Sequence, residues 1–201
     1  MSNWIPLTTV ALVLACIRVF AILISSLGVL LPGGILIGEY LNPLFYADSA
    51  LHIAILLYFA LALKQTNESV WGTIAYAIHA FMIAVFMIIA SARFMDTKII
   101  SMVSAVNIFV LILLIAQSFM VKNIAVKTSF KLYAIVILIV VVINMSIPYL
   151  VSMYALSIDN LGFTRMINLV PAVMETYIAY LFYQQFNSPL LHQNNDFESS
   201  L

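Results

Sequence analysis

The chain contains six apolar runs, each long enough to cross a lipid bilayer as a helix. A spanning α-helix needs about 20 mainly apolar residues. The runs are Thr8–Gly28, Pro43–Leu63, Val70–Ala92, Ile99–Val121, Leu132–Leu156 and Met166–Phe186. In lipid, a helix satisfies its backbone hydrogen bonds within its own segment. The sequence therefore predicts an all-α fold, a polytopic transmembrane helix bundle of about six helices.

The composition supports the same class of protein. Hydrophobic residues make up 65% of the 201 residues, charged residues make up 8%, and the mean hydropathy is +1.13. Soluble domains carry about 25% charged residues, so lipid rather than water suits the surface of this chain. Lys and Arg number 8, as do Asp and Glu, and none of the basic residues cluster in a stretch. This excludes nucleic-acid binding.

The apolar runs form one predicted domain, residues 1–186, followed by a polar tail, residues 187–201, that we expect to be flexible. The segment from Gly28 to Leu41 is apolar and glycine-rich but too short to span and return. We expect it to lie in the membrane interface or to form a shallow re-entrant turn packed on protein. Asn42-Pro43 then predicts a helix start, because Asn caps helices and Pro favours the first helical position.

Basic residues in short loops predict the orientation of the chain. If the N-terminus is inside, the inner loops hold four basic residues and the outer loops hold three. The inner set is Lys64, Lys122, Lys127 and Lys131, and the outer set is Arg93, Lys98 and Arg165. This excess favours cytoplasmic N- and C-termini. A cleavable signal peptide usually has a basic residue before its apolar run. Here no basic residue precedes the first run and Arg18 lies inside it. We therefore expect the first run to stay in the protein as a helix and not to be cleaved off.

Two ionisable residues lie near the middle of predicted spans. Arg18 shares a face of the first helix with Ala11, Ala15 and Ser25, and Glu175 lies in the sixth helix. With six helices, each charge lies about ten residues from the inner surface, so we predict that they pair. A charge at the centre of a span costs roughly 2.5–3.5 kcal/mol. The pair is either an ion pair that fixes helix packing, or a gate or solute site.

Three further ionisable residues suggest a second set of candidates. Asp48 and His52 lie one turn apart on the second helix, so they can touch and could pass protons. Asp48 also suits the positive end of the helix dipole, near the helix start. His79 in the third helix lies at a depth similar to that of His52. Two such histidines could ligate a haem or a metal, or simply pack; we predict no cofactor and no metal site.

The fifth helix carries a predicted break. Asn144, Pro148 and Ser152 lie on one face, and Pro148 cannot donate a hydrogen bond to the carbonyl of Asn144. The pattern predicts a kink there. Kinked helices with polar faces occur in transporters and also as plain packing devices.

The sequence offers no constellation typical of an enzyme. It has no nucleophile elbow, no carboxylate cluster for a metal and no tight acid–base set, and Asp48 with His52 alone cannot carry a mechanism. The single cysteine, Cys16, excludes an internal disulfide and a multi-cysteine metal site. We therefore predict no catalytic residues, and the sequence favours a protein that is not an enzyme.

Two parts of the chain resemble a known family. The first comprises Leu56-Leu57-Tyr58-Phe59-Ala60-Leu61, Asn67-Glu68, Ala75-Tyr76 and His79; the second comprises Val170-Pro171-Ala172-Val173-Met174-Glu175 and Ala179-Tyr180-Leu181-Phe182. They resemble a bacterial family of six- to seven-helix membrane proteins, domain of unknown function 4386. The resemblance implies a bacterial inner-membrane location and an important Glu175, but no activity. The chain departs from the family at His79, where Arg is frequent, and at Tyr183-Gln184-Gln185-Phe186, where a basic residue and glycine are common.

Three functions follow from these observations as hypotheses. The first is transport or binding of a small solute within the bilayer, for example as the vitamin-binding subunit of an energy-coupling transporter. In that case the small residues Ala11 and Ala15 could dock a partner helix. The second is a structural or regulatory subunit that binds other membrane proteins. The third is an intramembrane enzyme, which the residues support least.

Overall fold

The structure is a computed structural model that describes residues 4–30, 41–91, 97–154 and 166–187. These residues form six α-helices and, within the ranges described, no β-strand. The helices are α1 (Trp4–Leu30), α2 (Leu41–Gln65), α3 (Val70–Ser91), α4 (Thr97–Met120), α5 (Lys127–Tyr154) and α6 (Leu169–Asn187). The predicted all-α bundle of about six helices is confirmed.

Five of the helices, α1 to α5, are long and apolar enough to cross a membrane. The protein is therefore a multi-pass integral membrane protein. Helix α6 has 19 residues and a lower hydropathy. At 1.5 Å per residue it extends about 28 Å, close to the 30 Å thickness of a bilayer's hydrocarbon core.

The six helices pack as a closed ring. Each helix contacts the next in the chain, from α1 through α6, and α6 returns to pack against α1. Residues on the inner face of each helix therefore meet along one central axis. On α1 these are Ala11, Ala15 and Arg18, and on α6 they include Ala172 and Glu175, all of which are buried.

The helix ends differ from the apolar runs by a few residues. Helix α5 begins at Lys127, five residues before the predicted start at Leu132, and α2 begins at Leu41 rather than Pro43. An apolar run marks only the part of a helix that lies in the hydrocarbon core of the bilayer. The helix itself can continue into the polar interface, where its residues are no longer apolar. Lys127 and Lys131, predicted in a loop, lie in the first turns of α5.

The turn between α2 and α3 is a compact helix stop. The N–H of Glu68 donates to the carbonyl of Leu63 at 3.0 Å, and the N–H of Asn67 donates to the carbonyl of Lys64 at 3.2 Å. This is the Schellman pattern, which places one residue in the left-handed region. Asn67 takes that position with a φ of 55°. The polar segment predicted to separate these helices is therefore a defined turn.

One end of the bundle is held together by loop contacts. The carboxylate of Glu68 accepts hydrogen bonds from the backbone N–H groups of Lys122 and Asn123. The side-chain amide of Asn123 donates to Gln185 Oε1 at 3.2 Å. These contacts join the α2–α3 turn, the α4–α5 loop and the end of α6. We call this end the lysine face, because Lys64, Lys122 and Lys127 lie on it; the other end is the opposite face.

A buried aromatic cluster lies between the bundle centre and the lysine face. We call it the aromatic floor; it consists of Tyr58, Phe59, Tyr76, Phe130 and Phe182. Its ring centroids are 5.7 to 6.4 Å apart, and most pairs meet edge to face. Such aromatic pairs stabilise a core beyond the area that they bury. The floor closes the centre of the ring from that side.

Some sequence predictions fall outside the described residues. The interface segment predicted between Gly28 and Leu41 lies mostly in residues 31–40, and the flexible tail lies in residues 188–201. Arg93 and Arg165 of the predicted outer loops are also outside them. The re-entrant turn and the flexible tail therefore stay predictions.

Candidate functional site

Arg18 is the centre of a buried charged cluster. It lies on the inner face of α1 and is only 5% exposed. Its Nε donates to Asp48 Oδ1 of α2 at 2.9 Å, and its Nη1 donates to Glu175 Oε2 of α6. One guanidinium thus bridges two carboxylates from the two helices that pack against α1. The structure brings Arg18 and Glu175 together, as the depth of the two residues predicts.

Both carboxylate oxygens of Glu175 have partners. The residue has no exposed surface, so an unpaired carboxylate here would be costly. In addition to Arg18, the hydroxyl of Tyr133 on α5 donates to Oε1 at 2.7 Å. His52 Nε2 also lies 3.2 Å from Oε1, although its direction does not form a hydrogen bond. Side chains from α1, α2 and α5 therefore converge on this one carboxylate.

Asp48 and His52 are both in the cluster, but they do not form the predicted direct pair among the described contacts. Asp48 contacts Arg18, whereas His52 lies beside Glu175. The two acids therefore share the cation Arg18, and His52 lies beside Glu175 instead of Asp48. The side chain of Asp48 remains 32% exposed, so it lies at the edge of the cluster.

His79 of α3 lies beside His52 of the neighbouring helix α2. The two ring centroids are 6.0 Å apart, and the ring planes are inclined by 81°, which agrees with their predicted similar depth. His79 is 7% exposed, and its Nδ1 has no hydrogen-bond partner among the described residues. Within the same residues, no group of three or more His, Cys, Asp or Glu is arranged to hold a metal ion.

These side chains line a cavity of about 270 Å³ at the centre of the ring. Every helix contributes to its wall. The polar lining residues are Arg18, Asp48, His52, His79, Tyr133, Asn144, Asn168 and Glu175, and the apolar ones are Leu111, Ile137, Val140, Val141 and Pro171. The site is therefore a polar chamber within an apolar bundle, of a kind that can hold a small polar or charged molecule.

The cavity extends toward the opposite face. From Tyr133, its α5 wall continues through Ile137 and Val140 to Asn144, which is exposed. A smaller cavity of about 150 Å³ shares Asp48 and Asn168 with it and continues between α1, α2 and α6. On the other side, Phe59 and Phe182 of the aromatic floor lie seven residues beyond His52 and Glu175, about 10 Å along each helix. Among the described residues, the aromatic floor therefore lies between the cavity and the lysine face.

The predicted helix break lies beside the cavity. Asn144 lines the cavity wall near its opening, and Pro148 lies one turn further along α5. The helix is continuous from Lys127 to Tyr154, so Pro148 does not interrupt it. Bending of the helix axis at this point stays a prediction.

Sequence reasoning missed Tyr133. A tyrosine in an apolar span is usually assigned to the membrane interface, and Tyr133 lies near the start of the predicted fifth run. One signal was available in the sequence. Tyr133 lies one helical turn after Phe130 and on the same face of the helix, so the two side chains should be buried together. A buried tyrosine hydroxyl usually has a hydrogen-bond partner. Only the ring order of the helices shows that this partner is Glu175.

Ala11 and Ala15, which one of the hypotheses offered to a partner helix, instead face the interior of the bundle. Ala11 and Ala15 are 4% and 1% exposed because they pack inside the bundle of this same chain. Small residues let two helices approach closely, and here the close neighbours are α2 and α6, which both pack on α1. These two residues are therefore not available to a partner helix.

Comparison with family models, with curated proteins and with solved structures found no match. The resemblance to the bacterial family of unknown function therefore keeps the standing of an expectation. Functional argument rests on the site itself.

Proposed function

We propose that the protein binds a small polar or charged solute in the central cavity, as a solute-binding or transport protein of the membrane. One observation carries the proposal: the buried charged cluster lines a cavity instead of being sealed by apolar side chains. Ionisable residues at membrane depth are costly, and in membrane proteins they mark solute and ion pathways.

A role in packing alone fits the geometry less well. An ion pair kept for helix register needs only its two partners and a tight apolar surround. This cluster contains a second acid, Asp48, that is partly exposed, and a buried histidine nitrogen without a hydrogen-bond partner among the described residues. Buried polar atoms are nearly always hydrogen-bonded. These features support a site whose remaining partner is a bound molecule.

The position of the aromatic floor supports transport in particular. A transporter holds its site near the middle of the bilayer and opens it to one side at a time. Here the aromatic floor separates the cavity from the lysine face. We propose that the lysine face is cytoplasmic, by the excess of Lys in its loops, so that the cavity opens away from the cytoplasm, and that both termini are cytoplasmic.

We further propose that the membrane is a bacterial inner membrane and that the chain is a divergent member of the family it resembles. The central place of Glu175 in the cluster supports this, since the resemblance implies an important residue at that position. The family adds no activity to the proposal.

The test is ligand-dependent stability of the detergent-purified protein. Thermal unfolding would be measured with a panel of small cations, anions, zwitterions and neutral polar solutes, followed by native mass spectrometry of the protein with each solute that acts. A ligand that binds only the folded state raises the unfolding temperature in proportion to its saturation. We expect at least one class to do so, and substitution of a cavity-lining residue, Asp48→Asn, to change the size of the effect.

The alternative of a structural subunit gives a different result in the same experiment. No solute would then change the unfolding temperature, and native mass spectrometry would show the bare chain or a complex with other membrane proteins. That outcome would contradict the proposed solute site.

A further inference from the structure

The charges that line the cavity do not balance. Arg18 supplies one positive charge, while Asp48 and Glu175 supply two negative charges. Among the lining residues that the structure describes there is no Lys and no second Arg, and the other ionisable groups are His52, His79 and Tyr133. With both histidines neutral, the described lining residues therefore carry one excess negative charge. In a bilayer interior such a charge favours a positively charged partner.

The two carboxylates are not equally available. Glu175 is fully buried, with one oxygen bonded to Arg18 and the other to Tyr133. Asp48 accepts from Arg18 through Oδ1 alone, and its side chain is 32% exposed. Asp48 also lines both the central cavity and the smaller one that continues from it. The negative charge that a ligand can reach is therefore that of Asp48.

A second, independent observation comes from α3. The His79 side chain is more than nine-tenths buried, lines the same cavity, and has a ring nitrogen, Nδ1, without a partner among the described residues. In a neutral imidazole one ring nitrogen accepts a hydrogen bond. His79 thus offers a ligand a polar contact from α3, the helix next to the α2 helix that carries Asp48.

We propose that the solute is a small organic cation with a protonated nitrogen, held by the carboxylate of Asp48 and by a hydrogen bond with His79. This assignment rests on the proposed solute-binding function and names its substrate class. A volume of about 270 Å³ equals that of roughly nine liquid water molecules. It suits an amine of a few carbon atoms and exceeds the space that a bare metal ion fills. The N–H groups of the ammonium supply the donors that Asp48 and His79 need.

The experiment compares three solutes with the same carbon skeleton. Thermal unfolding of the purified full-length protein would be followed near neutral pH with butylammonium chloride, sodium butyrate and butyramide, and with sodium and potassium chloride at equal ionic strength. We expect butylammonium alone to raise the unfolding temperature, with saturation. In Asp48→Asn we expect its apparent affinity to fall about tenfold or more, the effect of one charge-assisted hydrogen bond.

Glu68→Gln is the matched control, because it removes one negative charge at the lysine face and leaves the cavity unchanged. The assignment would be overturned if butylammonium had the same apparent affinity for Asp48→Asn as for wild type. It would also be overturned if Glu68→Gln lost as much affinity for butylammonium as Asp48→Asn. An equal shift with sodium or potassium, or a response to butyrate or butyramide instead, would overturn it too. In those last cases the proposed solute site stands and only the charge assigned to the solute is wrong. If no solute in the panel changes the unfolding temperature, both the solute site and the assignment of a cation to it are overturned. The wild-type comparison decides the matter even if Asp48→Asn does not fold.

Discussion

At the scale of single residues, the site depends on the complete pairing of Glu175. The side chain of Glu175 is fully buried, so Arg18 and the hydroxyl of Tyr133 stabilise its carboxylate. Removing one partner of a buried pair is strongly destabilising because a charge is left uncompensated, whereas removing both is often tolerated. The contacts therefore make clear predictions for single and paired substitutions.

Arg18→Gln is expected to lower the free energy of unfolding by about 3–5 kcal/mol, because it leaves Glu175 buried and unpaired. Arg18→Gln combined with Glu175→Gln should cost less than the sum of the two single changes, because no unpaired buried carboxylate remains at position 175. The measurement is a double-mutant cycle: the free energy of unfolding is determined for wild type, both single variants and the double variant. Unfolding is driven by adding a denaturing detergent to a mild one. Strictly additive effects would show that the two residues are not coupled.

Tyr133→Phe removes one hydrogen bond to a buried carboxylate and is expected to cost about 1–3 kcal/mol. Tyr177→Phe is the matched control, because Tyr177 is 49% exposed on the outer surface of α6 and lies away from the cluster. Both variants would be compared with wild type by thermal unfolding in one detergent. Equal unfolding temperatures for the two variants would rule out the contribution assigned to Tyr133.

The residues of the site could be predicted from the sequence in part. Arg18 and Glu175 stand out because charge is rare at membrane depth, and counting residues from one surface places them at one level. The partner of Asp48 could not be predicted, because its choice between Arg18 and His52 depends on the rotation of α1 and α2 about their axes. Tyr133 was not predicted as a site residue, because its side chain is uncharged and tyrosine is common in membrane helices near the interface.

At the scale of elements, the helix ends are set by local chemistry that the sequence shows well. The α2–α3 turn is a case in point: the polar segment after Lys64 ends the helix, and Asn67 occupies the left-handed position of the Schellman motif. Asn tolerates this conformation better than most residues, and glycine tolerates it best. The start of α5 was harder to predict from the sequence, because its first turn contains polar residues although the backbone there is already helical.

Substitutions at Asn67 test this reading of the turn. Asn67→Gly is expected to leave stability unchanged or slightly raised, and Asn67→Val to lower it by about 1–2 kcal/mol, because a β-branched residue disfavours a positive φ. Thermal unfolding of the purified variants provides the comparison. The account of the turn would be wrong if Val were tolerated as well as Gly.

At the scale of the whole molecule, the six described helices form a ring around a cavity, and the aromatic floor lies between that cavity and the lysine face. The helix number could be predicted because bilayer thickness imposes a length on each apolar run. Which helices are neighbours, and that they enclose a cavity, could not. Lipid and protein interior are both apolar, so the sequence of a spanning helix carries little information on which face points inward. Only rare polar residues, such as Arg18, mark that face.

The proposed transport role requires that water reaches the polar cavity from one face only. Its most direct test is side-specific cysteine labelling in sealed membrane vesicles of known orientation. Cys16 is the chain's only cysteine, so Cys16→Ala provides a thiol-free background. Ile137→Cys places a thiol on the cavity wall, and Ile139→Cys, which is 51% exposed on the outer surface of the same helix, is the matched control in lipid. Only a hydrated thiol ionises and reacts.

We predict that a small, membrane-impermeant, cationic thiol reagent modifies Ile137→Cys when added on the opposite face and not on the lysine face, and that Ile139→Cys reacts from neither. Asn123→Cys should react from the lysine face alone and so reports orientation. Modification of Ile137→Cys from the lysine face only, or from neither side, would contradict the one-sided cavity and with it the proposed solute site.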